Sequence, residues 1–169
     1  MMMKKMLSAL VLFSVLIAGC VKSDTKCSYT ESISVASATE IDSLTNLLSD
    51  SGIIATQHPS GFFYKISSNG AGTGITNLCS NITVSYKGSL FNGQVFDSTV
   101  AGNVAVFQLG QVIVAWQKGI PLVSKGGDIT LYIPPSLGYG SNAVKDSQGN
   151  IIIPANSYLK FDVHIVDIQ

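Results

Sequence analysis

The apolar positions of this chain follow three different periods in turn. From Leu7 to Ala18 they form a near-continuous run of 12 residues, interrupted by Ser8 and Ser14. Further on, Ile41, Leu44, Leu47 and Leu48 recur at the spacing of one helix face. Ser37 or Thr39 is placed to cap this short helix and Gly52 to end it. After the turn His58-Pro59-Ser60-Gly61 the period drops to two. Phe62 to Ser67 predict a first strand, followed by the loop Asn69-Gly70-Ala71-Gly72. Ile82, Val84 and Tyr86 alternate with Thr83 and Ser85, as in a half-buried strand. Asn92-Gly93 is a hairpin signal ahead of Gln94 to Phe96, and Val104 to Leu109 form a further strand.

The period returns to about 3.6 at Ile113, Trp116, Gln117 and Ile120, which predicts a helix of two or three turns. Gly126-Gly127 mark a turn, after which Ile129, Leu131 and Ile133 alternate with polar neighbours. The last strand is the clearest. Leu159, Phe161, Val163 and Ile165 share one face, and Lys160, Asp162 and His164 the other. These elements describe an α+β fold, an antiparallel sheet with one polar face folded around one short helix.

Lys4 and Lys5 precede the first apolar run, which is too short to cross a bilayer and reads as the core of a secretory signal. It ends in Leu16-Ile17-Ala18-Gly19-Cys20, which resembles the lipobox of bacterial lipoproteins. That resemblance implies cleavage before Cys20 and lipidation of its sulfur, so that the protein sits on a membrane at the cell envelope without spanning it. Losing the 19 residues before Cys20 from 169 leaves 150, with eight lysines against ten acidic residues, a net charge of −2. The expected organisation is a signal peptide over 1–19, a lipidated tether and short helix over 20–52, and one domain over 53–169. Between Ser23 and Ser51, 12 of 29 residues are serine or threonine, so the first half of that stretch reads as tether and the short helix packs on its own domain.

Composition narrows the function. The chain has ten lysines, ten acidic residues and no arginine, which argues against nucleic-acid binding. Three cysteines and two histidines leave little material for a metal site, and no cofactor is expected. Cys27 and Cys79 remain after lipidation, and an exported protein can oxidise them. They read either as a bridge pinning the N-terminal segment to the domain or as two separate buried thiols. There is no CxxC, which argues against a redox enzyme. His58 and His164 read as surface residues without a partner pattern, and Asn81-Ile82-Thr83 as a chance sequon.

Several motifs then occur in one order: Val84-Ser85-Tyr86-Lys87-Gly88, Phe96-Asp97-Ser98, Phe107-Gln108-Leu109-Gly110, Val112-Ile113 with Trp116, Ile133-Pro134-Pro135 with Tyr139-Gly140, and Ile153-Pro154 with Leu159 to Val163. From about Phe62 to Gln169 the chain resembles the FKBP family of peptidyl-prolyl isomerases, the macrolide-binding immunophilins. The resemblance implies a curved sheet of five or six antiparallel strands over a short helix, with an apolar proline pocket between them. It implies pocket walls of Tyr86, Phe96, Val112, Ile113, Trp116, Ile153 and Phe161, with Trp116 as the floor and the Ile113 N–H as a donor to the peptide. Asp97, Tyr139 and Phe96 are the residues it implies for catalysis, the first two as polar groups at the rim. Phe107 reads as core.

The implied partners are proline-containing unfolded or exported proteins, acted on by a monomer. Four departures bear on this. Ala105 replaces an aromatic wall, which implies a wider site and a macrolide ligand of reduced affinity. Ala115 replaces a glycine before the tryptophan. Ser98 to Asn103 lacks the basic residue that orients the aspartate, and Ser141 to Asn150 is a longer loop expected to overhang the pocket. The rival expectation is a non-catalytic binding or chaperone module on the same scaffold.

Overall fold

The computed structural model describes residues 27–72 and 74–169. The expected signal peptide and Cys20 lie outside the described residues. Helix α1 (Ala38–Asp50) starts where the sequence supplies a reciprocal cap: the Ser37 hydroxyl accepts from the Glu40 N–H while the Glu40 carboxylate accepts from the Ser37 N–H. It ends at Asp50, with Ser51 as its C-cap and Gly52 next, whose φ of +63° suits glycine. Leu44 and Leu48 are buried against Phe63 and Tyr132, so α1 docks on the sheet.

The strands are β1 (Thr56–Gln57), β2 (Phe63–Ser68), β3 (Asn81–Leu90), β4 (Val95–Ser98), β5 (Ala105–Gln108), β6 (Asp128–Ile133), β7 (Val144–Lys145), β8 (Ile151–Ile153) and β9 (Leu159–Ile168). Seven form one antiparallel sheet in the order β1-β2-β6-β9-β3-β4, with β5 also pairing β3. The α+β class is as the periodicity predicts. The extra strand of the sheet is β1, and β7, inside the stretch expected to be loop, forms a separate hairpin with β8 just after it.

Helix α2 (Val114–Gly119) lies on the apolar face, burying Ala115, Trp116 and Gly119 with Ile82, Val84, Leu131 and Phe161. On the opposite, polar face, Lys160 and Thr130 both reach Asp162, at 3.1 and 2.9 Å. His164 Nδ1 sits 2.8 Å from Asp128 Oδ1, which corrects its reading as unpartnered. The pair faces across the β6–β9 register, 36 residues apart, and no local pattern shows it. His58 is also engaged: its ring stacks on Phe62 at 4.3 Å and its Nδ1 accepts the Ser60 N–H at 3.1 Å.

Cys27 and Cys79 are joined by a disulfide, their Cα atoms 5.6 Å apart. From there residues 28–36 run without helix or strand, yet Ala36 is buried in the core and its N–H donates to the Ser60 carbonyl at 2.9 Å. The bridge is one of the two readings the cysteines offer; the serine-rich composition does not show the Ala36 tie.

Candidate active site

Strand β3 turns Val84, Tyr86 and Gly88 toward α2. Gly88 is required there: a Cβ would fall 2.6 Å from Phe96 Cε2 and 2.7 Å from Phe161 Cε1. Its absence lets those two rings meet edge to face, centroids 5.4 Å apart. Trp116, on the buried side of α2, is ringed by aromatic edges. Phe161 lies at 5.2 Å, Tyr86 at 5.5 Å and Phe107 at 5.9 Å, each within 7° of perpendicular. This arrangement suits the quadrupoles of the rings and fixes each one's orientation.

Around these rings opens a cavity of about 240 Å³. Of the residues implied by the sequence, Tyr86, Asp97, Val112, Ile113, Trp116, Tyr139 and Phe161 line it. Phe96 and Ile153 do not. Phe96 packs onto Phe161 from the flank that Gly88 leaves open, and Ile153, opposite Val144 in the β7–β8 hairpin, is buried in the core. No residue of Ser141–Asn150 lines the cavity either.

Two lining residues are additional. Phe107, read as core, faces the cavity as well as Trp116, and Gln111 stands at the exposed rim. Alternation along β5 carries the signal for Phe107: Val104 and Val106 are half or more exposed, so Ala105 and Phe107 face inward. Ala105 itself lies opposite Val84 and does not line the cavity.

The polar groups gather at one edge. Asp97 lies opposite Gly88 on β4, just before the register shifts, and its Oδ2 accepts from the Tyr86 hydroxyl at 2.5 Å. Tyr86 thus takes the orienting place of the missing basic residue. Burial, then the bond and charge of Asp97, push the Tyr86 hydroxyl far above the usual phenol range, so it stays protonated and donating. Burial, followed by the Asp97 charge, also raises Tyr139. Three donors facing this cavity have no acceptor among the described residues: the buried Trp116 Nε1, the Tyr139 hydroxyl, and the Ile113 N–H just before α2, where the backbone is extended (φ −60°, ψ 152°). No nucleophile stands beside a base in this cavity. It can hold an apolar ring, exclude water and offer hydrogen bonds at its rim.

Comparison with known proteins gives a consistent picture. The family model for FKBP-type peptidyl-prolyl cis-trans isomerase matches residues 76–166. FkpA of Buchnera aphidicola subsp. Schizaphis graminum is 46% identical over 111 residues, 65% of this chain and 42% of that protein. FkpA of Escherichia coli K12 is 36% identical over 110 residues, 64% of this chain and 38% of that protein. The match therefore takes in less than half the length of these relatives. The crystal structure of FkpA from Escherichia coli superposes with a TM-score of 0.63 at 32% identity, covering 78% of this chain and 58% of that one. The crystal structure of AtFKBP13 gives 0.61 at 33% identity, covering 69% of this chain and 99% of that one.

Proposed function

The chain belongs to the FKBP-type peptidyl-prolyl cis-trans isomerase family, and from that premise we propose that it accelerates rotation about X–Pro bonds in exported proteins. One observation carries this: the aromatic cage on Trp116, with the Tyr86–Asp97 pair at its edge, lies wholly inside the matched segment. The uncatalysed barrier, roughly 18–20 kcal/mol, comes from amide resonance. No covalent bond breaks, so the enzyme has only to bind the twisted amide better than the planar one. The cage holds the proline ring and strips water from the preceding carbonyl, which disfavours the charge-separated planar form. The Ile113 N–H holds the peptide alongside, and Asp97 and Tyr139 face the amide as it twists. A differential of ~5–6 kcal/mol would supply an acceleration of about 10⁴.

The setting is part of the proposal. Residues 1–19 act as a signal peptide, Cys20 carries the lipid, 20–52 join the anchor to the domain over 53–169, and the protein works on a membrane surface at the cell envelope. The Cys27–Cys79 bridge supports an oxidising compartment. With Ala105 off the cavity wall, macrolides are expected to bind weakly.

The test is NMR exchange on a short X-Pro peptide with catalytic amounts of protein. Cross-peaks between cis and trans forms should appear with the protein and fall at least tenfold in Asp97→Ala and in Trp116→Ala. Binding without exchange by the folded protein would replace the enzyme with a binding module.

A further inference from the structure

A chain of hydrogen bonds runs from the N-terminal segment to the rim of the cavity. Gln108 Nε2 donates to the Cys79 carbonyl at 3.4 Å, which leaves Gln108 Oε1 to accept from the Tyr29 hydroxyl at 2.9 Å. With its proton so placed, the Tyr29 oxygen accepts from Gln111 Nε2, also at 2.9 Å. The Tyr29 ring lies against Gly110, where a Cβ would come within 2.6 Å of Tyr29 Cδ1. Two residues earlier, Cys27 is bridged to Cys79, the residue whose carbonyl starts the chain. Each polarity in the series is set by the one before it.

The consequence falls on Gln111, which lines the cavity and is exposed. One proton of its NH₂ is held by Tyr29, which fixes the orientation of the amide and leaves Oε1 on the side away from Tyr29, accepting no hydrogen bond among the described residues. A terminal amide otherwise rotates in a broad, nearly two-fold well and would present either end. Tyr29 lies outside the matched segment 76–166 and 82 residues from Gln111, so this device is added to the domain from ahead of it.

We propose that Gln111 is a specificity-determining residue, presenting Oε1 as an acceptor to the peptide beside the bound proline, and that Tyr29 is the positioning residue that sets this polarity. The favoured substrates are peptides with a hydrogen-bond donor on the side chain flanking the X–Pro bond. This rests on the proline-pocket reading above. Asp97, on the same cavity, adds a negative charge that favours cationic donors in every variant alike.

The experiment uses the full chain and X-Pro peptides differing only at the flanking residue, lysine or its donor-free isostere norleucine. Dissociation constants come from NMR titration, and cis–trans exchange rates from the same samples. Tyr29→Phe keeps the ring on Gly110 and removes the hydroxyl. The lysine-over-norleucine affinity ratio should fall roughly fivefold in Tyr29→Phe, the size of one exposed hydrogen bond. Affinity for the norleucine peptide should stay unchanged. Gln111→Ala should show the same fall, and adding Tyr29→Phe to it should change nothing more. The Gln111 side-chain NH₂ resonances should move toward free-amide positions in Tyr29→Phe. An unchanged ratio in Tyr29→Phe, or an equal fall with and without Gln111, overturns the proposal. Selective binding without exchange would remove the isomerase reading and leave the relay standing. No peptide binding by the folded wild type overturns both.

Discussion

His58 shows how one side chain can set a pH limit on the fold. Its Nδ1 can accept the Ser60 N–H only while unprotonated, and Lys118 Nζ sits 2.9 Å from the Ser60 hydroxyl. Partial burial, then the Lys118 charge, hold the imidazole below its usual value of 6.5. The folded state therefore binds fewer protons than the unfolded one. The stability His58 contributes is full above about pH 6.5 and is lost as the pH falls through the lowered folded value. His58→Asn substitutes an amide oxygen as acceptor and cannot titrate. Melting temperatures from about pH 7.5 to about pH 5 should fall less steeply in this variant than in the wild type. Equal slopes would show that His58 is already free of its bond in solution. The motifs bring Tyr86, Asp97, Trp116 and Phe161 to notice because each is an aromatic or a carboxylate in a recognisable string. Gln111 and Tyr29 matter only through each other, and a contact across 82 residues leaves no mark on either local sequence.

Helix α1 carries two kinds of attachment that make separable contributions. Ser37 and Glu40 cap it, and the Glu40 carboxylate also accepts from the Ser136 N–H and hydroxyl at 2.9 and 2.8 Å, three residues before Tyr139. Leu44, fully buried, anchors its apolar face. Ser37→Ala should cost about 1 kcal/mol as a lost cap. Leu44→Ala should cost about 2–5 kcal/mol as a buried cavity. Both are read from urea unfolding as a single cooperative transition. An unaffected Leu44→Ala would mean that α1 is undocked in solution. The helix was legible because its four apolar positions and its cap fall within 12 residues. The longer strands were legible for the same reason. β1 and β7, two residues each, are too short to show a period, and β8 has only three. Sheet order was less legible still. Only the β1–β2 and β3–β4 connections carry local turn signals that the motifs show, in His58-Pro59-Ser60-Gly61 and Asn92-Gly93, while β2–β6, β6–β9 and β9–β3 join strands distant in sequence.

At the scale of the whole molecule, the Cys27–Cys79 bridge decides whether the segment ahead of α1 belongs to the domain. It spans a sequence separation of 52 residues and closes a loop containing α1, β1 and β2. In the chain-entropy account, opening a loop of that length returns about 4 kcal/mol of freedom to the unfolded state. The native ties left behind are few: the Tyr29 hydrogen bonds, the Tyr29 ring on Gly110, and Ala36 in the core. Urea unfolding of the oxidised protein against Cys27→Ser/Cys79→Ser should show a loss of that order. The Tyr29–Gln111 bond should weaken in the same variant, because its anchor two residues away has gone. A loss near zero would mean that the unfolded chain already holds these ends together, and an unweakened Tyr29–Gln111 bond would mean that Tyr29 is seated by its own contacts. A loss near 4 kcal/mol would mean instead that the bridge stabilises the fold by constraining the unfolded chain, and a weakened Tyr29–Gln111 bond beside it would show that it also seats Tyr29.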